Sequence, residues 1–126
     1  MAYTISKEFE FAASHQLRGL PDEHQCARLH GHNYRVRVEL TGHLDPTGFV
    51  LDYGALAPFK RWIDANLDHR HLNDIPRFDE GGDNPTAEGL SQYLTAALHS
   101  VVEIPRSILT RVWVSETPKT WAVWTP

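Results

Sequence analysis

The run Asn33–Thr41, NYRVRVELT, alternates at every position. Tyr34, Val36, Val38 and Leu40 take one side, and Arg35, Arg37 and Glu39 take the other. A period of two with one apolar and one charged face is the pattern of a half-buried antiparallel strand. Such a strand needs a second layer over its apolar face. Its charged face is left for water or for the same face of another subunit.

The rest of the chain supplies that layer. Tyr3–Ala13 reads as a partner strand. A turn over 42–48 follows the central strand, and Phe49-Val50-Leu51 resumes a short extended run. Asp52 is placed to cap a helix running to about Leu67, with Leu56, Phe59, Ile63 and Leu67 on one stripe and Pro58 near its first turn. Thr86 caps a second helix, with Glu88 early in it and Leu90, Leu94, Ala97, Leu98 and Val101 along one face. Thr110–Glu116 and Thr120–Trp124 form a hairpin around Thr117-Pro118-Lys119. These elements predict one α+β domain over residues 1–126, an antiparallel sheet with both helices on one face.

Composition narrows the function. The 126 residues carry a net charge of −4, which gives no general electrostatic case for nucleic acid. No apolar run approaches the roughly 20 residues of a membrane-spanning helix. The charged start MAYTISKEFEF has no export-signal core. A single cysteine makes no internal disulfide, so a reducing cytoplasm is the expected location. Eight histidines are many for this length and hint at metal or acid–base chemistry.

The histidines concentrate in CARLHGHNY, residues 26–34. In an extended chain His30 and His32 leave the same face, and Gly31 keeps the spot uncrowded. If the first two strands pair, His15 comes opposite them, and three imidazoles form an open Zn²⁺ site. The competing reading is a turn with surface histidines. Cys26 is either an inert thiol or a nucleophile or base activated by a nearby cation. Asp68-His69 is either a solvated helix end or an imidazole oriented by a carboxylate, with His71 a rival, while His24 reads as a loop residue. Glu116 is either a strand-end charge in water or an acceptor for two N–H donors of a flat 2-amino-4-oxo ring.

Six blocks then fall in one order: FAASH (11–15), CARLHGHNY (26–34), the TG…DY run (41–53), LDHRHLND (67–74), NPTAE (84–88) and VSET (114–117). In that order and at those spacings the chain resembles the 6-pyruvoyltetrahydropterin synthase superfamily, nearly end to end. Within it, the C-x3-H-G-H spacing is similar to that of the bacterial 6-carboxytetrahydropterin synthases of queuosine biosynthesis. The resemblance implies the tunnelling fold, with four antiparallel strands and two helices per subunit. Trimers would close into a barrel and stack as a homohexamer with active sites between subunits. It implies His15, His30 and His32 as zinc ligands, Cys26 as the catalytic thiolate, and Asp68 and His69 as its proton-transfer partners from a neighbouring chain. It implies Glu116 as the pterin anchor, with Thr86 and Glu88 near the same pocket.

The implied activity is a zinc-dependent lyase. It would convert 7,8-dihydroneopterin triphosphate to 6-carboxy-5,6,7,8-tetrahydropterin, with loss of acetaldehyde and triphosphate. Another pterin side-chain reaction on the same site and a non-catalytic zinc-dependent binding module are the rivals. Arg18 and Arg28 are candidates for the triphosphate. The loop Phe78–Asp83 is either a pocket wall or, as the preferred reading, a surface insertion.

Overall fold

A computed structural model describes residues 1–126. Strand β1 (Tyr3–His15) pairs antiparallel with β2 (His30–Gly42) along its whole length, Tyr3 facing Gly42 and His15 facing His30. Two residues, Arg70–His71, form β3, parallel to the end of β1. Strand β4 (Leu109–Thr117) pairs with β2, and β5 (Thr120–Trp124) with β4, for a sheet order β3-β1-β2-β4-β5. Helices α1 (Ala57–Asn66) and α2 (Ala87–Val101) cover one face.

The alternation of β2 is realised as read. Tyr34, Val36 and Val38 are completely buried, and they meet Phe9 and Phe11 of β1 and Val112 and Val114 of β4. Phe9 sets its ring edge-on to Phe59 of α1, with centroids 5.1 Å apart. The stripes of both helices close the core from above, and Leu56, Phe59, Ile63, Leu67, Leu90, Leu94 and Leu98 are all at most 1% exposed. The opposite face is polar. Glu8 accepts hydrogen bonds from Arg35 and Arg37, and both guanidiniums lie over the Trp121 ring.

Three expectations need correction. The sheet has five strands, not four, and its β3–β1 pair is parallel. A two-residue strand inside the polar stretch LDHRHLND is too short to show any alternation. Phe49-Val50-Leu51 is not a strand, because Asp45 accepts hydrogen bonds from the Thr47 and Phe49 N–H groups and folds the segment into a turn. Asp52 caps a 3₁₀ turn at Tyr53–Leu56 through the Gly54 N–H, and α1 begins only at Ala57. Pro58 has no N–H to bond the carbonyl four residues back, so the α-helical ladder starts afresh around it.

Candidate active site

His15 is the last residue of β1, and His30 and His32 open β2. The antiparallel register sets His15 against His30 and Ala13 against His32, so all three rings gather at one end of the sheet's core face. Their nearest ring nitrogens lie within 4.8 Å of one another.

The hydrogen bonds identify which nitrogens are available. His15 Nδ1 donates to the buried Pro85 carbonyl at 2.8 Å, and His30 Nδ1 donates to the Arg28 carbonyl at 2.7 Å. Each neutral imidazole then carries a lone pair on Nε2. Those two Nε2 atoms face each other at 2.8 Å, a contact that two lone pairs alone do not tolerate. A shared proton is disfavoured, because burial lowers the His15 pKa to about 4. His32 Nε2 is buried with no hydrogen-bond partner, and burial lowers its pKa too. Two inward nitrogens with their protons elsewhere, and a third buried beside them with no partner, fit a divalent cation of zinc's ligand preference. The Pro85 and Arg28 carbonyls provide the outer support that orients such ligands.

A cavity of about 690 Å³ opens beside His32. Glu116 and Asp68 both line it, and Glu116 Oε2 lies 3.9 Å from His32 Nε2. The β4–β5 pairing slips between Val114 and Thr117, and Ser115 and Glu116 sit in that irregularity. Bulges of this kind redirect side chains. Burial raises the Glu116 pKa, the nearby Glu88 charge raises it further, and His30 and the Ala87 N–H partly offset both. A half-buried carboxylate in such a site is well suited to accept N–H donors from a flat heterocycle.

Asp68 and His69 meet within the chain. Asp68 Oδ1 accepts from the Ala12 N–H at 2.9 Å, and Oδ2 lies 2.9 Å from His69 Nδ1. These two contacts, the Ala12 N–H first, hold the Asp68 carboxyl below its usual range. His69 adopts a left-handed backbone (φ 58°), uncommon outside glycine, and its N–H donates to the Ala12 carbonyl. Ala12 thus grips the Asp68-His69 turn from both sides, while the His69 side chain stays 83% exposed.

Of the other expected residues, Glu88 and His71 border this grouping, and the rest lie apart from it. Cys26 sits in a 3₁₀ turn, Gln25–Ala27, and lines neither the cavity at Glu116 nor its neighbour. Its N–H donates to His24 Nδ1, so His24 is a loop residue that caps the thiol's turn. The Thr86 hydroxyl accepts from the Gly89 N–H as the N-cap of α2. Glu88 shares a smaller cavity with Glu116. His71 Nδ1 is engaged with the Ser14 hydroxyl. Arg18 donates to the carbonyls of Phe78, Gly82 and Asp83, so its guanidinium staples that loop and is not free for a phosphate. None of residues 78–83 lines the cavities beside His32, so the loop is not a wall of either. It is not a bare surface insertion either, because Phe78 is completely buried in the core against Tyr93 and only residues 79–83 are exposed.

Two asparagines escaped the sequence reading. Asn73 and Asn84 each pair with the N–H and C=O of one residue, Gln16 and Arg18 respectively. They clamp the segment after β1 on both sides of Leu17, whose N–H donates to the Cys26 carbonyl. Both stand in the recognised blocks LDHRHLND and NPTAE, which was the only available signal.

Known proteins resemble this chain in sequence and in fold. A family model described as 6-pyruvoyl tetrahydropterin synthase matches residues 4–126. The chain is 38% identical to the 6-carboxy-5,6,7,8-tetrahydropterin synthase of Synechocystis sp., over 76% of this chain and 74% of that protein. It is 30% identical to the enzyme of the same name from Bacillus subtilis, over 99% and 86%. The solved structure of Caenorhabditis elegans 6-pyruvoyl tetrahydropterin synthase superposes with a TM-score of 0.88 at 31% identity, covering 100% of this chain and 96% of that one. The chain belongs to the 6-pyruvoyl tetrahydropterin synthase family.

Proposed function

We propose that this protein is a zinc-dependent carbon–carbon lyase acting on 7,8-dihydroneopterin triphosphate. The products are 6-carboxy-5,6,7,8-tetrahydropterin, acetaldehyde and triphosphate. The observation that carries this reading is the place of His32, which joins the three-imidazole cluster to the cavity that Glu116 lines.

In this reading His15, His30 and His32 hold the zinc ion. When bound, zinc supplies Lewis-acid polarisation of the substrate's side-chain hydroxyls. Glu116 accepts two N–H bonds from the 2-amino-4-oxo edge of the pterin and fixes the ring, so that the side chain lies beside His32. Cys26 and His69 move protons at the side-chain carbons and hydroxyls, and Asp68 holds the His69 ring through Nδ1. Breaking the bond between the first and second side-chain carbons frees the outer two carbons as acetaldehyde, and the first becomes the carboxylate. One water is taken up, and triphosphate leaves with its bridging oxygen as the bond from the third carbon to that oxygen breaks. Glu88 and the Thr86 hydroxyl stand close to the ring site in this scheme.

Cys26 lines neither cavity within one chain, which favours a site completed by a neighbouring copy. A homohexamer built as two stacked trimers, each closed into a barrel, would bring Cys26 of one subunit to Asp68 and His69 of the next. No helix is long and apolar enough to cross a membrane. A reducing cytoplasm would keep Cys26 a free thiol, and the product would feed a 7-deazapurine such as queuosine.

The test is incubation of the zinc-loaded protein with 7,8-dihydroneopterin triphosphate, with products identified by mass. Carboxytetrahydropterin with acetaldehyde is the expected result. The fit to the pyruvoyl-forming Caenorhabditis elegans enzyme supports a second reading, in which pyruvoyltetrahydropterin appears instead. Zinc and pterin bound without turnover would leave only a binding module.

A further inference from the structure

The cavity at Glu116 has a neighbour of about 620 Å³, and Ala12, Gly31, His32 and Asn33 belong to the walls of both. The two are halves of one groove with His32 at its middle. Their electrostatics differ. The first half holds three carboxyl groups, Glu10, Asp68 and Glu116, against one guanidinium, Arg35. Arg35 is already bound to Glu8 at 3.0 Å and lies over Trp121. The second half holds no carboxylate. It presents Arg70, three imidazoles (His32, His69 and His71) and the small polar side chains of Ser14 and Asn33.

A polyanion is repelled from the first half and accepted by the second. Arg70 is the one permanent cation there, and its only side-chain hydrogen bond is a single N–H to the Ala65 carbonyl at 3.1 Å. The rest of its five-donor fork stays available, a geometry that suits phosphate oxygens. Other arginines are unsuited, because Arg18 is committed to three loop carbonyls and the exposed Arg28 lines neither half.

We infer that the second half of the groove is a polyphosphate subsite in which Arg70 holds the anionic tail of a ring–chain–polyphosphate substrate. The inference rests on the reading of the first half as the pterin site. The order of parts in such a molecule then matches the order of groups along the groove: Glu116 for the ring, His32 and the histidine cluster for the chain, Arg70 for the tail. Gly31 contributes to the same path. A methyl there would meet only the Ala13 carbonyl at an ordinary 3.5 Å, so backbone crowding does not demand glycine, but a larger side chain would occupy the shared wall.

Calorimetric titration of the zinc-loaded protein with two separate probes tests this: inorganic tripolyphosphate, and 7,8-dihydroneopterin without phosphates. Arg70→Gln is expected to weaken tripolyphosphate about tenfold or more while leaving dihydroneopterin unchanged. Arg70→Lys, which keeps a cation, should recover most of that loss and guards against a folding defect in the first variant. Unchanged tripolyphosphate affinity in Arg70→Gln overturns the subsite, as does a wild-type protein that binds dihydroneopterin but no tripolyphosphate. A wild-type protein that binds tripolyphosphate but no dihydroneopterin overturns the pterin reading, and the inference falls with it.

Discussion

His15 and His30 each turn an Nδ1–H to a backbone carbonyl, and the nitrogens left over meet at 2.8 Å. At the scale of single residues this geometry separates metal binding from catalysis. His30→Ala removes one of three ligands and should abolish stoichiometric zinc, read by elemental analysis of the purified variant. Cys26→Ala should retain zinc in the same assay and lose turnover. Full zinc in the first variant, or activity in the second, would refute the assigned roles. Glu116→Gln keeps the size of the anchor but replaces one acceptor oxygen with a donor. Pterin binding should weaken by about 2–4 kcal/mol, the scale of a buried charge-assisted hydrogen-bond pair, measured as a dissociation constant for dihydroneopterin.

Among the elements, helix α2 depends on its first turn. Thr86 caps it through the Gly89 N–H, and the preceding Pro85 carbonyl receives His15. Thr86→Ala should lower unfolding stability by about 1 kcal/mol, whereas Thr86→Ser should be nearly neutral, by denaturant titration. If the alanine variant also binds dihydroneopterin normally, Thr86 serves the helix and not the ligand. On the polar face of the sheet, Glu8 bridges Arg35 and Arg37 of β2. The Arg37 and then Arg35 hydrogen bonds hold the Glu8 carboxyl below its ordinary value of 4.5. A group depressed in the fold contributes fully above its unfolded value and loses that contribution as pH falls through the folded one. Glu8→Gln should therefore destabilise by less than about 1 kcal/mol at neutral pH, as an exposed ion pair does. The difference from wild type should vanish in acid below the folded value. A difference that persists there would mean that Glu8 acts by packing or neutral hydrogen bonding.

For the whole molecule the proposed function requires Cys26 of one copy to meet Asp68 and His69 of another. A mixing experiment decides it. Cys26→Ala and His69→Ala chains are each expected to be inactive alone. Unfolded together and refolded at equal ratio, they should recover about a quarter of wild-type activity if each site takes one residue from each of two chains. No recovery, with hybrids shown to form by native mass, would place all three residues in one chain's own site.

Strands β1, β2, β4 and β5, both helices and their buried stripes were legible in the sequence because each is a local periodicity, readable within a dozen residues, whereas the two-residue β3 was not and Phe49-Val50-Leu51 reads as extended but is not a strand. The same locality put His30 and His32 on one face of β2, and their block order with FAASH and VSET identified the family. Local pattern stops there. The 2.8 Å approach of His15 to His30 depends on register across the hairpin, and the support from Pro85 reaches His15 across 70 residues of chain. Arg18 was indistinguishable from a free phosphate ligand until three carbonyls of a distant loop took its donors. Asn73 and Asn84 had no visible role, because a side-chain amide that clamps a backbone segment has no period to betray it. The sequence by itself determined the four long strands, the two helices and which residue types reach the end of the sheet. Only the tertiary structure decided which of their nitrogens, oxygens and guanidiniums remain unpaired, because that depends on partners brought together by the fold rather than by the chain.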